Sequence, residues 1–392
     1  MKLVEIVKLD LSNKEKILLL TEMNKYIQTV NFLVDEILHG NLPYKNLSTK
    51  MFDVRLPSAI KCQCIRDAKS IVQKYKKALR KYQRDIKRNK GRKIREPKIP
   101  RMKRLVYYVN NQNYKIKGDS IEFPIYADTG CNVKSKRIRF AVKLREYQHK
   151  LFENKLGLLR ITLKNHKIVV CIQYEVPNAN LITDGKIIGI DLGVKCPAVS
   201  YDTNGRIRFY GNGRKNRYIR RKFFEERRKL QRKKKYRVIK RRKDKERRIM
   251  KDINHKISRQ IVNEALEQGV SIIKMESLKN IRKNITKRTT RTSRKNKRSK
   301  YKMMMRRNNR FVNSWSFGQL QKFIEYKTMK AGIQVIYVNP VNTSKECPVC
   351  HAINQSHDRK YTCNCGFHHH RDVVGAMNIC TSTKIVGNRQ SA

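Results

Sequence analysis

Apolar residues in the first quarter of the chain have the spacing of a strand and then of two long helices. Aliphatic side chains crowd residues 1–10, which predicts a short strand. Ser12 and Glu15 have the spacing of a capping box, and the apolar residues after them recur every three or four positions, so we predict a helix that ends at Gly40. A second long helix is predicted from Ser58, with an apolar face from Ile60 to Ile86 and many Lys and Arg residues on the opposite face.

The pattern changes to alternating apolar and polar residues between Leu105 and Val176. Such alternation is typical of strands with one buried face. The pair Asn165-His166 stands between two of these runs and predicts a hairpin turn. We therefore expect a small β-barrel or sandwich here, which the strand of residues 1–10 can join.

From Gly185 onward, apolar strands and helices alternate. A short strand ends at Asp191, and a hairpin is predicted around Asn204-Gly205. A long basic helical hairpin follows, and then a second strand, residues 270–275, ends at Glu276. A helix over residues 311–330, a strand over 333–338 and a helix that begins near Asp372 complete the pattern. This order of elements is the outline of an RNase H-like α/β core.

The charge of the chain indicates a polyanionic partner. Its 392 residues include 93 Lys and Arg against 31 Asp and Glu, a net charge of +62. Charge of this size repels itself unless a polyanion neutralises it, so nucleic acid is the expected partner. Much of this positive charge lies in two segments. Residues 214–251 contain 22 Lys and Arg and 4 Asp and Glu, and residues 281–310 contain 14 Lys and Arg and no Asp or Glu.

Segments for export or membrane insertion are not expected. The first residues lack the apolar core of a signal peptide, and the longest apolar runs are too short to span a bilayer. The 10 cysteines are scattered apart from one cluster of four, unlike a disulfide scaffold. We expect a reducing, cytoplasmic location.

Three acidic residues at the ends of predicted elements are the candidate catalytic residues. Asp191, Glu276 and Asp372 come from distant segments, and a buried carboxylate needs a partner such as a metal ion. Carboxylate oxygens suit Mg²⁺, and two ions about 3.5–4 Å apart hydrolyse phosphodiesters without a covalent nucleophile. Taken singly, each acid also fits the role of a turn or cap residue.

A second cluster predicts a structural zinc ribbon. Cys347 and Cys350 are separated by two residues, a spacing that lets one turn supply two thiolates to Zn²⁺. Cys363 and Cys365 follow with a tighter spacing of one residue. The histidines of residues 368–370 are alternative ligands. Chance clustering of free thiols is the other interpretation.

These motifs resemble those of the TnpB family of transposon-encoded, RNA-guided DNA endonucleases, which are relatives of the compact type V CRISPR effectors. The matching stretches are IIGIDLGVK (187–195), IIKMESLKNI (272–281), SWSFGQLQKFIEYK (314–327), VNPVNTSKECPVC (338–350) and CNCGFHHHRDVVGAMNI (363–379). The resemblance implies that Asp191, Glu276 and Asp372 are a RuvC-type catalytic triad holding two Mg²⁺. It also implies that Cys347, Cys350, Cys363 and Cys365 hold one structural Zn²⁺.

The resemblance further implies an α+β multidomain architecture. Residues 1–10 would be the first strand of a β-barrel wedge domain completed by residues 105–180, and residues 11–104 a helical recognition domain. Residues 181–341 would form a RuvC-like nuclease core with a basic helical insertion at 214–268. Residues 342–367 would be the zinc ribbon, and residues 368–392 the end of the core and a C-terminal tail.

The implied function is RNA-guided endonuclease activity on DNA. The expected partners are a guide RNA from the transposon end and double-stranded target DNA with a short flanking motif, in the nucleoid of a prokaryotic cell. Three alternatives remain: a nuclease-inactive, RNA-guided repressor; a transposase that transfers strands itself; and a basic zinc-ribbon RNA-binding protein without catalysis. Strand-transferring transposases usually place their acids in the order Asp, Asp, Glu, whereas this chain has Asp, Glu, Asp.

Overall fold

The chain divides into two compact units, Met1–Pro177 and Asn178–Ala392. The computed structural model describes residues 1–88, 95–126, 135–164, 167–242, 244–278, 316–354 and 359–388. The turn predicted at Asn165-His166, the basic segment 281–310 and the start of the helix predicted at residue 311 lie outside the described residues. The finer division into six domain segments stays a prediction.

The first unit combines one sheet with two long helices. Its strands are β1 (Lys2–Asp10), β2 (Val106–Val109), β3 (Lys115–Lys117), β4 (Ser120–Tyr126), β5 (Ser135–Val142), β6 (Leu156–Lys164) and β7 (Lys167–Glu175). Its helices are α1 (Asn13–His39), α2 (Ser58–Arg88) and α3 (Glu146–Phe152), with short 3-10 turns at Thr49–Met51 and Asn111–Asn113.

These strands form a half-barrel sheet in the order β2-β6-β7-β1-β5-β4-β3. The first strand lies in the middle, antiparallel to both β7 and β5, so residues 1–10 join the sheet as expected. Side chains of α1, α2 and the sheet share one hydrophobic core. The helices and the half-barrel are therefore parts of one packed body.

The helix boundaries in this unit confirm the capping signals, but the buried face of α2 is shorter than expected. Ser12 and Glu15 form a reciprocal capping box, and Gly40 ends α1 with a φ of 85°. On α2, Ile60 is fully buried and burial stops after Val72. The apolar face predicted to extend to Ile86 is thus core only in its first half, since Ile86 is 45% exposed.

The second unit is built on a mixed sheet. Its strands are β8 (Lys186–Asp191), β9 (Ala198–Asp202), β10 (Ile207–Tyr210), β11 (Val270–Glu276), β12 (Gln334–Val338), β13 (Lys360–Thr362), β14 (His368–His370) and β15 (Ile385–Asn388). Its helices are α4 (Gly213–Arg232), α5 (Tyr236–Arg242), α6 (Lys245–Glu267), α7 (Phe317–Lys330) and α8 (Arg371–Thr381). The basic insertion, predicted as a helical hairpin, contains three helices in its described residues. The first helix ends at Arg232 and the second at Arg242.

Six of these strands are ordered β10-β9-β8-β11-β12-β15, and β13 pairs with β14 separately. The central strands β8, β11 and β12 are parallel, and the predicted hairpin of β9 and β10 is confirmed. Ile188 and Ile190 of β8 pack with α6 and α7 in one core. Gly189, which alternates with them, faces α8, so that helix lies on the opposite face of the sheet. No helix in the described ranges is both long enough and apolar enough to cross a membrane.

The backbone of α8 lies directly against β8 at Gly189. A Cβ atom on Gly189 would overlap the carbonyl oxygen of Ala376 and the backbone nitrogen of Cys380. At the C-terminal end of α8, the Nζ of Lys274 donates to the carbonyl oxygens of Cys380 and Ser382, at 2.8 and 3.0 Å. Helix α8 is thus fixed to two central strands, at a distance that a side chain on Gly189 would not allow.

We predict that Gly189→Ala destabilises the second unit by about 3 kcal/mol or more, because helix and strand must separate to admit the new methyl group. Urea unfolding measures the change. The matched control is Gly318→Ala on α7, where an added Cβ would meet no described atom within 4 Å. That substitution should be neutral or stabilise by up to about 1 kcal/mol. Equal stability of the two variants would contradict the close contact.

Candidate active site and metal centre

Asp191 and Glu276 lie side by side at the carboxyl ends of neighbouring parallel strands. Ile190 of β8 pairs with Met275 of β11, and the two acids are the next residues in this register. Side chains alternate between the faces of a sheet, so both acids point to the face that carries α8. The register alone therefore brings together two of the three acids that the sequence singled out.

Asp372 joins them from the first turn of α8. Gly375, on the next turn, faces Asp191: a Cβ there would lie 3.1 Å from its Oδ2 atom. A Cβ on Gly193, just beyond β8, would lie 3.8 Å from Oδ2 of Asp372. The structure thus brings Asp191, Glu276 and Asp372 together in one site, and their catalytic role stays a prediction.

The three acids are half-buried, and the site is crowded with negative charge. Burial raises the pKa of Asp191 well above its ordinary value, and the charges of Glu276 and Asp372 raise it further, while Arg371 and Arg359 act in the opposite direction. Burial also raises the pKa of Glu276. Burial is the largest cause of both shifts, so the ionised carboxylates of Asp191 and Glu276 are poorly solvated, which favours a bound cation.

Each of two acids has a partner that the sequence did not reveal. Arg359 forms an ion pair with Asp372, and the hydroxyl of Thr343 donates to Oε1 of Glu276. Arg359 is one of 93 Lys and Arg residues, and Thr343 carries no charge, so no pattern in a single sequence marks either of them. Asp372 is also the second residue of α8, and its backbone N–H donates to Nδ1 of His370 at 3.3 Å.

Hard cations fit this donor set, because all three side chains offer carboxylate oxygens. Among the described residues, the four cysteines are the one set of potential ligands whose atoms all lie within 4.8 Å of one another. The three acids supply the type of donor that a pair of such ions would use.

The four cysteines form the second candidate metal centre. The Sγ atoms of Cys350 and Cys363 are 3.4 Å apart, and those of Cys347 and Cys365 are 3.7 Å apart. Four thiolates in a tetrahedron around Zn²⁺ are about 3.8 Å apart, so the arrangement fits a zinc-binding group. The backbone N–H of Cys365 is the largest of several causes that lower the pKa of the Cys363 thiol to about 6, which favours its thiolate. The pKa of the Cys350 thiol is raised to about 12, because the backbone bond at Ala352 lowers it less than hydrogen bonds to the other cluster thiols raise it. His368, His369 and His370, considered as alternative ligands, lie on β14 and outside this set.

The cysteine cluster supports the helix that carries Asp372. Tyr361, fully buried, packs with Cys347, Cys363 and Val374 of α8. Its hydroxyl donates to the carbonyl oxygen of Lys345 at 3.0 Å. The cluster thus contributes to the core beneath the acidic site.

Two family models and several known proteins are similar to this chain. Residues 170–282 match a family model described as a probable transposase, and residues 317–379 match the Cas12f1-like TNB domain. A TnpB-like protein of Methanocaldococcus jannaschii is 30% identical over 299 residues, which cover 71% of this chain and 96% of that protein. The CRISPR-associated endodeoxyribonuclease Cas12f1 of Sulfoacidibacillus thermotolerans is 28% identical over 235 residues, 55% of this chain and 50% of that protein.

One solved structure has a similar fold over nearly the whole chain. It is the cryo-EM structure of a Cas12f1–sgRNA–target DNA complex, with a TM-score of 0.63 and 16% identity, covering 95% of this chain and 84% of the Cas12f1 chain. At this identity the likeness concerns the fold alone.

We predict that the purified protein contains one zinc ion and that Cys347→Ser lowers its zinc content and its unfolding temperature, because a tetrahedral site loses one of four thiolates. Elemental analysis and thermal unfolding measure the two effects. Cys62→Ser is the control, since Cys62 is an exposed cysteine on α2, outside the cluster. Unchanged zinc content in Cys347→Ser would exclude the cluster as the zinc site.

The raised pKa of Asp191 makes the metal-free protein less stable as the pH rises. An unfolded Asp has a pKa of about 3.9, so above that pH the folded protein binds more protons at this site than the unfolded chain. We predict that the free energy of unfolding of the wild type falls relative to Asp191→Asn between about pH 5 and pH 8, by at most about 1.4 kcal/mol per pH unit.

Urea unfolding of both proteins at several pH values, without added Mg²⁺ and without chelator, tests this dependence. Asparagine does not titrate and has nearly the same volume, so groups elsewhere cancel in the comparison. Added Mg²⁺ should stabilise the wild type more at high pH than at low pH. Parallel pH dependences of the two proteins would contradict the electrostatic coupling at this site.

Proposed function

The chain belongs to the family of TnpB-like proteins, and on this premise we propose that it is an RNA-guided DNA endonuclease of a transposon. The family expected from the sequence motifs is thereby confirmed. The proposed reaction is metal-dependent hydrolysis of a phosphodiester bond in DNA next to a short flanking motif.

The observation that carries this proposal is the meeting of Asp191, Glu276 and Asp372 at the ends of β8 and β11 and the start of α8. Burial and the neighbouring charges of Glu276 and Asp372 raise the pKa of Asp191, which costs stability, so the convergence of the three acids calls for a function that uses it. In this proposal the second unit contains the RuvC-like nuclease core. The relative from Sulfoacidibacillus thermotolerans is named an endodeoxyribonuclease, which supports the same chemistry.

The residues of the site would act by holding metal ions and DNA in place. Two Mg²⁺ ions, when bound, supply the activation of the attacking water and the stabilisation of the leaving 3′ oxygen. Asp191 is placed centrally, between Glu276 on the neighbouring strand and Asp372 on α8, and would serve both ions. Cleavage of this type leaves a 5′ phosphate and a 3′ hydroxyl.

The charge of the chain and its fold support RNA and DNA as partners. The Cas12f1 with a similar fold was solved with a guide RNA and target DNA. A guide RNA would neutralise much of the net charge of +62, and base pairing with it would select the target, as in other RNA-guided nucleases. We assign the recognition and wedge roles to the helices and half-barrel of the first unit, and a structural Zn²⁺ to the four cysteines.

We predict that Asp191→Asn lowers the rate of Mg²⁺-dependent DNA cleavage on the order of 1,000-fold or more while RNA binding is kept, because the variant loses one carboxylate ligand. The protein is purified with its bound RNA, the RNA is sequenced, and cleavage is measured on DNA that matches its variable end. Asp184→Asn is the control, because Asp184 is exposed just before the other end of β8. It should cut like the wild type.

Other results separate the alternatives. A wild type that binds matching DNA without cutting it is a repressor. A heterogeneous RNA population without a common structure indicates a basic RNA-binding protein. Full activity of Asp191→Asn would place the catalytic site elsewhere.

A further inference from the structure

We propose that Thr343 is a positioning residue for the acidic site. Its hydroxyl fixes the carboxylate of Glu276, while its backbone is tied to the helix that carries Asp372. The inference rests on the proposed nuclease function and adds to it: a neutral residue outside the three acids sets the distance between two of them.

The side chain of Thr343 is in direct contact with the carboxylate of Glu276. Thr343 lies between β12 and the first cysteine pair, and it is 7% exposed. Its hydroxyl donates to Oε1 of Glu276, and the carbonyl oxygen of Pro340 is 3.4 Å from the same hydroxyl. One proton faces two acceptors, and the carboxylate is the nearer. The backbone carbonyl of Glu276 accepts a bond of 2.8 Å from Nε2 of Gln321, so backbone and side chain are both held.

The backbone of Thr343 is in turn fixed to α8. Nδ2 of Asn378 donates to the carbonyl oxygens of Thr343 and Glu346, both at 2.7 Å. Asn378 is on the same helix as Asp372. Both N–H bonds of its amide are used, so the segment cannot shift along the helix without breaking a bond. A continuous path therefore joins Glu276, Thr343, Asn378 and Asp372.

This path matters for metal binding because ligand distances tolerate little error. Mg²⁺ demands near-ideal geometry, and a carboxylate free to rotate would hold it less well. The hydrogen bond from Thr343 also lowers the pKa of Glu276 against the effect of burial. Outer partners of metal ligands typically contribute about 10- to 100-fold to metal affinity or activity. The geometry gives Thr343 this role toward Glu276.

The test compares the Mg²⁺ dependence of DNA cleavage by the RNA-bound protein. Thr343→Val keeps the shape but removes the hydroxyl, and the Mg²⁺ concentration for half-maximal cleavage should rise by about 10- to 100-fold. Thr343→Ser keeps the hydroxyl and should restore the value to near that of the wild type. The matched control is Thr328→Val on α7, which removes a fully buried hydroxyl bonded to the carbonyl oxygens of Ile324 and Glu325. Its Mg²⁺ dependence should be unchanged.

Zinc content and unfolding temperature are measured on every variant. If Thr343→Val does not fold, Asn378→Leu is the second variant, because it releases the backbone of Thr343 and should shift the Mg²⁺ dependence in the same direction. An unchanged Mg²⁺ dependence in the folded Thr343 variant, or an equal shift in Thr328→Val, would overturn the inference and leave the proposed function standing.

A second measurement separates failure of the inference from failure of the proposed function. Binding of Mn²⁺ is followed by electron paramagnetic resonance, and the site is defined as the Mn²⁺ that is lost in Asp191→Asn. Weaker binding in Thr343→Val than in Thr343→Ser supports the positioning role even if the wild type does not cut DNA. Equal binding in the two variants refutes it.

Discussion

The second unit depends on the direct contact between the backbones of β8 and α8 at Gly189. No side chain separates the backbone of Gly189 from the backbone of α8, and a Cβ on Gly189 would overlap the carbonyl oxygen of Ala376. Asp191 lies two residues further along the same face of β8, and Asp372 lies about one turn before Ala376 on α8. The distance between these two acids is therefore set by glycine packing. A larger residue at Gly189 would push the helix away from the strand and open the site, and one at Gly375 would crowd the carboxylate of Asp191.

The same contact imposes an electrostatic cost that the surrounding residues reduce. Three half-buried carboxylates meet at this place, and loss of solvation is the largest cause of the raised pKa of Asp191. Arg359 and Arg371 offset the repulsion, and Thr343 donates to Glu276. The remaining repulsion favours cation binding, because a divalent ion relieves desolvation and repulsion together. Strain of this kind at a site is expected where function, and not stability, has determined the residues.

The sequence marked the acids and the cysteines as candidate ligands and predicted the capping box, because each depends on a local pattern. Asp191 and Glu276 end apolar runs, and Cys347 and Cys350 have the spacing of a metal-binding turn. Arg359 has no such pattern, since it becomes a partner of Asp372 only through the fold. The buried length of α2 also depends on the fold: its apolar period continues to Ile86, but the core that it packs against ends near Val72. The basic insertion was predicted as a hairpin because helical periodicity does not reveal the breaks after Arg232 and Arg242.

The cysteine cluster and the acidic site are coupled because the chain enters and leaves the cluster beside the acids. Thr343 comes four residues before Cys347, and Asp372 comes seven residues after Cys365. Thr343 donates a hydrogen bond to Glu276 of the acidic site, and Asp372 is itself one of the three acids. A metal bound by the four thiolates would hold the ends of this segment in place, and its binding free energy would stabilise the folded form. In the proposed nuclease the cluster would therefore matter for catalysis without touching DNA, because Thr343 and Asp372 flank it in the chain.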